Sequence, residues 1–122
     1  MGTPSPLSKV VILANYEKFE PLKAAMDKIG ITGMTVTNVT GCGMQRGGAA
    51  NYYRGVKMDM KLLPKIKMEI VVAKIPVDTV IETAKKALYS GNYGDGKIFV
   101  YDVRDVVRIR TGETGYDALQ DE

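Results

Sequence analysis

Apolar residues in this chain fall into short runs of two periods, separated by breaks bearing Gly or Pro. Residues 9–14 (KVVILA) form a continuous apolar run of the kind found in buried strands. Residues 18–29 then place Phe19, Leu22, Met26 and Ile29 on one helical face, and Gly30 supplies a C-terminal stop. Residues 34–41 read as a second strand whose alternation breaks between Val36 and Val39, which predicts a bulge. In residues 66–73, Ile66, Met68, Ile70 and Val72 face one way while Lys67 and Glu69 face the other. Pro76 opens a second helix with Asp78 in its first turn. Val77, Val80, Ile81, Ala84 and Leu88 form its apolar stripe, Lys85 and Lys86 lie near its end, and Gly91 stops it. Residues 97–102 are a fourth strand, and 105–111 a fifth or an extension of the fourth.

The order βαββαβ, plus that extra strand, predicts an α+β ferredoxin-like sandwich: an antiparallel sheet with two helices on one face, in a single domain over residues 1–122. The other sheet face would carry Phe99 and Tyr101 with no element left to cover them, so oligomerisation is expected. Residues 1–8 are expected to be a flexible N-terminal tail, and 114–122 a C-terminal tail.

Composition narrows the chemistry. The chain has 122 residues, 45% hydrophobic and 25% charged, with net charge +3. That balance suits a globular domain with an anionic ligand but does not by itself argue nucleic acid. There is no histidine, which excludes Ser-His-Asp catalysis, His-activated cysteine, His-ligated metal and phosphohistidine transfer. The single cysteine, Cys42, rules out an intramolecular disulfide and reads as a small packed residue. No apolar run approaches the roughly 18 residues of a membrane span. With no leader-like pattern at the start, the chain is expected to be cytoplasmic.

Two segments interrupt the regular pattern. The first, residues 41–65, joins strands two and three through a connection near twenty residues long, where a hairpin normally needs about two to five. It holds five basic residues (Arg46, Arg54, Lys57, Lys61, Lys65) against one acidic residue, Asp59, and several glycines. It reads either as a hairpin extension or surface loop, or as a binding loop presenting Tyr52, Tyr53 and Arg54 to a partner. The second, GNYGDGK at residues 91–97, lies between a helix and a strand. It is either a turn alone or a cradle for phosphate, with Lys97 as the ammonium. Arg108 and Arg110, two apart on the expected fifth strand, would share a face and extend such an anion site. Glu69 shares a strand face with Lys67, as a surface ion pair or a ligand contact. Residues 41–45 resemble half a dinucleotide fingerprint, but the third glycine is misplaced and no helix follows.

Six blocks taken together resemble the PII signal proteins: GITGMTV at 30–36, GCGMQ at 41–45, YRG at 53–55, LPKIKMEIVV at 63–72, GDGKIFV at 94–100 and VRIRTGE at 107–113. The resemblance spans about residues 9–116. It implies a homotrimer with ATP and ADP competing for clefts between subunits. Gly94, Asp95, Gly96 and Lys97 would hold phosphates, with Arg108 and Arg110 from the facing subunit. Glu69 and the backbone of Gly41 and Gly43 would lie near the adenine and ribose. Gln45 would coordinate a magnesium bridging ATP and 2-oxoglutarate, and Lys65 would pair with a 2-oxoglutarate carboxylate. Residues 43–61 would be the T-loop that engages transporters or enzymes. The chain departs from the pattern at Met44, where the family carries Arg or Lys, and at Met58, where a modifiable tyrosine stands; uridylylation there is excluded. The usual Lys-Pro-Phe-Lys after strand one is Asn15-Tyr-Glu-Lys18.

The function this implies is a non-enzymatic, adenine-nucleotide-binding signalling protein that regulates a membrane transporter or metabolic enzyme and also senses 2-oxoglutarate. The alternative is an energy sensor answering to ADP and ATP only, outside ammonium control. An acylphosphatase-like enzyme and an RNA-binding module of the same topology are more remote: strand one lacks an arginine loop after it, and burial in a trimer accounts for Phe99 and Tyr101.

Overall fold

A computed structural model describes the backbone of residues 6–53 and 56–120, and side chains for 6–42 and 62–120. The elements are β1 (Leu7–Asn15), a 3-10 turn (Tyr16–Lys18), α1 (Phe19–Lys28), β2 (Thr35–Tyr53), β3 (Val56–Val72), α2 (Val77–Leu88), β4 (Lys97–Val103) and the one-turn helix α3 (Gly115–Ala118). The four strands form one sheet in the order β2-β3-β1-β4, with every neighbouring pair antiparallel. With both helices packed on one face, this is the ferredoxin-like α+β fold.

The core follows the period of each segment. Val10, Ile12 and Ala14 from β1, with Ile66, Met68, Ile70 and Val72 from β3, point to the helix side. Leu22 and Met26 of α1 and Val80, Ala84 and Leu88 of α2 meet them, and nearly all are fully buried. Each of the Val, Leu, Ile and Met side chains among them contributes about 1.5–3 kcal/mol by leaving water. Pro76 stands at the α2 N-cap position with Asp78 in the first turn, and Lys85 and Lys86 lie in the last. That distribution complements the helix dipole.

Four expectations change. First, β2 and β3 pair well beyond residue 41: the ladder runs from Thr35↔Glu69 to Arg46↔Met58 and resumes from Asn51↔Met58 to Tyr53↔Val56. The connection is thus largely a long β-ribbon, because cross-strand pairing with β3 holds the segment extended even where glycine disfavours strand locally. Second, the register runs unbroken past Val36 and Val39, and its one irregularity lies between Arg46 and Asn51. Third, residues 105–111 make no strand; an isolated bridge, Val107↔Thr114, closes a turn with Gly112 at φ 76°. Fourth, the first strand begins at Leu7, which is 4% exposed, rather than at residue 9. Residues 1–5, 54–55 and 121–122 lie outside the described residues.

Candidate anion-binding site

The open sheet face, opposite the helices, assembles the polar groups. Antiparallel register sets Asn15 opposite Lys65, Leu13 opposite both Lys67 and Lys97, and Val11 opposite both Glu69 and Phe99. Directly opposed residues share a face. At one end, the Lys65 Nζ donates to Asn15 Oδ1 at 2.6 Å and to the Gly94 carbonyl at 3.2 Å. The lysine stem lies across Gly41, where a Cβ would stand 3.0 Å from Lys65 Cγ. Gly41 is therefore the floor under the lysine, which explains a glycine mid-strand.

The turn 90–96 that receives Lys65 is shaped from within. Asp95 accepts hydrogen bonds from the Ser90 amide (2.8 Å), the Gly91 amide (3.2 Å) and the Ser90 hydroxyl. These bonds, the Ser90 hydroxyl foremost, hold the Asp95 carboxyl below its ordinary range. The Asp95 side chain thus brackets its own loop, an arrangement of backbone that presents Gly94 and Gly96 rather than a free carboxylate. Gly96 has φ 123°, and a Cβ there would fall 1.9 Å from the Leu13 carbonyl oxygen. Only glycine lets this loop press against the end of β1. Lys97 follows, exposed, and makes no ion pair among the described residues.

The other candidates lie elsewhere. Glu69 pairs with Lys9 at 3.0 Å and Lys67 at 3.9 Å, and the Lys9 hydrogen bond lowers its pKa. It sits four residues from Lys65 along β3, about 13 Å away at strand spacing. It borders a cavity of about 670 Å³ with Gly30, Thr35, Tyr116 and Gln120. Arg108 is not on a strand: its backbone pairs with Glu113 (2.8 Å) and accepts from Gly112 (2.8 Å). Its guanidinium donates to Glu113 Oε1 (2.8 Å) and to the carbonyls of Ala118 and Gln120. Among the described residues, then, the hydrogen-bond partners of Arg108 lie in its own C-terminal segment. Arg110 is exposed in the turn that follows, so the shared strand face expected for the two arginines does not form.

Gly43, Gln45, Tyr52 and Tyr53 lie in the β2 ladder, with Gly43 opposite Lys61 and Gln45 opposite Asp59. Their side chains, and Arg54 altogether, lie outside the described residues. Among the described residues no cluster of three or more metal-ligating side chains occurs. Sequence reasoning singled out Lys65 and the glycines but missed Asn15 and Ser90 as their partners. Ser90 lies at the edge of the Gly-rich turn, where Ser and Asp side chains often bond nearby backbone, which is the signal that could have found it. The Asn15 pairing needs the β1–β3 register.

The α+β sheet, with its Gly-rich helix-to-strand turn and long β-ribbon, is the architecture of a family of small signalling proteins. The chain belongs to the nitrogen regulatory protein P-II family, whose pattern matches residues 7–113. It is 50% identical over 111 residues to a nitrogen regulatory PII-like protein of Bacillus subtilis, covering 91% of this chain and 95% of that one. The structure of Bacillus subtilis GlnK in complex with ATP superposes with a TM-score of 0.78 at 44% identity, covering 95% of this chain and 99% of that chain. Arabidopsis thaliana PII bound to citrate gives 0.75 at 39% identity, covering 93% and 92%. Proteins of this family are signal-transduction regulators rather than enzymes. No helix among the described residues is long and apolar enough to cross a membrane.

Proposed function

We propose that this chain is a trimeric signalling protein that binds ATP or ADP between subunits and regulates a transporter or metabolic enzyme through residues 43–61. The observation that carries the reading is Lys65 held against the Gly94 carbonyl, beside a loop whose glycines exclude side chains. An ammonium beside bare backbone at a Gly-rich turn suits phosphate or carboxylate oxygens. The ATP complex of a 44%-identical relative supports the nucleotide. Gly94, Gly96 and Lys97 would face the phosphates while Asp95 holds the loop. Glu69 and the backbone of Gly41 and Gly43 would meet the adenosine.

Arg108 is tied to the C-terminal segment of its own chain, so in this reading Arg108 and Arg110 would serve the cleft of a facing subunit. The same assembly would cover Phe99 and Tyr101, which are 41% and 52% exposed in the single chain. A mass three times that of the chain, by light scattering, tests the assembly; a monomer at micromolar concentration contradicts it. Magnesium held through Gln45, and 2-oxoglutarate on Lys65, complete the reading. Citrate, a polycarboxylate, occupies a 39%-identical relative. Met44 favours the second reading, an ADP and ATP sensor without 2-oxoglutarate, because it removes a cation from the phosphate side. The cytoplasm, where nucleotide and metabolite levels vary together, is the compartment this function needs. Calorimetric titration with ATP, with ADP, and with 2-oxoglutarate added to Mg-ATP separates the two: 2-oxoglutarate binding supports the first, its absence beside nucleotide binding supports the second.

A further inference from the structure

Asn15 stands at the N-cap of the 3-10 turn, with φ −64° and ψ 144°, the extended backbone of a capping residue. Asparagine is among the best residues there because its side-chain oxygen can accept from the first turn. Yet Asn15 makes no capping hydrogen bond. Its oxygen takes the Lys65 ammonium instead, at 2.6 Å, across the β1–β3 pair. The orientation of the amide is dictated by chemistry: an ammonium has three donors and no acceptor, so only the oxygen of Asn15 can face it.

The consequence lies in charge and count. Two of the three Lys65 donors are occupied, one by Asn15 and one by Gly94, both neutral acceptors. Among the described residues no carboxylate pairs with Lys65, and the nearby Asp95 is committed to Ser90 and Gly91. The lysine is thereby held at the rim of the loop with its full charge and one donor left. A flexible four-carbon stem would otherwise have to be ordered when a ligand arrives.

We propose that Asn15 is a positioning residue for an anionic ligand: it aims the Lys65 ammonium over the 94–97 loop without neutralising it. The ligand's recognised group is a phosphate or carboxylate oxygen. The inference rests on the functional reading above.

The test compares Asn15→Leu, close in shape without an acceptor, and Asn15→Asp, which keeps the geometry but adds a charge, each alone and with Lys65→Met. Calorimetry uses ATP, inorganic triphosphate, and 2-oxoglutarate with Mg-ATP; thermal unfolding and circular dichroism confirm folding. Asn15→Asp is expected to weaken the anion by about tenfold and Asn15→Leu by about threefold. In the Lys65→Met background Asn15→Leu should add nothing, which a merely structural role would not produce. Loss in the phosphate arms assigns a phosphate oxygen to Lys65; loss confined to 2-oxoglutarate assigns a carboxylate; either supports the proposal. Unchanged affinity in every arm, or an equal loss in the Lys65→Met background, overturns it while leaving nucleotide binding intact. If Asn15→Leu fails to fold, Asn15→Asp alone decides. If the unaltered chain binds no nucleotide, both this inference and the functional reading fall.

Discussion

Lys65 and Arg108 are two cations held in opposite ways. Lys65 donates to two neutral oxygens, those of Asn15 and Gly94. Arg108 donates to a carboxylate, Glu113, and to the carbonyls of its own C-terminal segment. The first keeps its charge available beside a Gly-rich turn. The second is already compensated, so any anion it meets must compete with Glu113. A cation poised by neutral acceptors is ready for a ligand, whereas one held by a carboxylate is first a structural tie that must be partly released.

That contrast is sharpened by substitutions of decreasing size. The largest effect falls on the loop that serves Lys65. Gly96→Ala puts a Cβ against the Leu13 carbonyl at a positive φ, and should cost on the order of 3 kcal/mol or more in urea unfolding. Native-like stability of that variant would mean the loop does not press on β1 as described. Next, Lys65→Met should weaken ATP or 2-oxoglutarate binding by about tenfold or more, since a hydrogen bond to a charged group is worth about 1.5–3 kcal/mol. It should leave the unfolding midpoint little changed, because no carboxylate is orphaned. Arg108→Ala should behave differently, with a smaller loss of nucleotide affinity, about fivefold, accompanied by faster amide exchange over residues 113–120. Loss of affinity with an undisturbed C-terminal segment would break the comparison.

The smallest effect is a pH dependence. Asp95 has its folded pKa lowered from an ordinary 3.8, chiefly by the Ser90 hydroxyl. A lowered carboxyl pKa stabilises the fold above the unfolded value, and that contribution disappears as pH falls through the folded value. The difference in unfolding temperature between the chain and Asp95→Asn should thus be constant above about pH 5 and shrink below about pH 4. A difference that grows on acidification would contradict the bracket.

Much of this was legible in the sequence where structure is local. The alternation of Ile66, Met68, Ile70 and Val72 against Lys67 and Glu69 names the two sheet faces, and the stripe of α2 names its buried side. The ribbon beyond residue 41 was not, because Gly43, Gly47 and Gly48 argue against strand while the pairing comes from the opposite chain segment. Residues 105–111 misled in the other direction: Val107 and Ile109 alternate with Arg108 and Arg110 like a strand, but Gly112 turns the chain back so that Arg108 pairs with Glu113. The site divides in the same way. Gly94, Gly96 and Lys97 are visible as a motif. The Asn15–Lys65 contact is fifty residues long in sequence and exists only once β1 and β3 are in register.

Binding of an adenine nucleotide at the Lys65 end of the open sheet face is the central proposal for this chain. Calorimetric titration of ATP into the chain, at two temperatures so that a vanishing enthalpy cannot hide binding, asks this directly. Saturable binding that is weakened by Lys65→Met is the result expected. No binding at either temperature, with protein well above micromolar concentration, would contradict it.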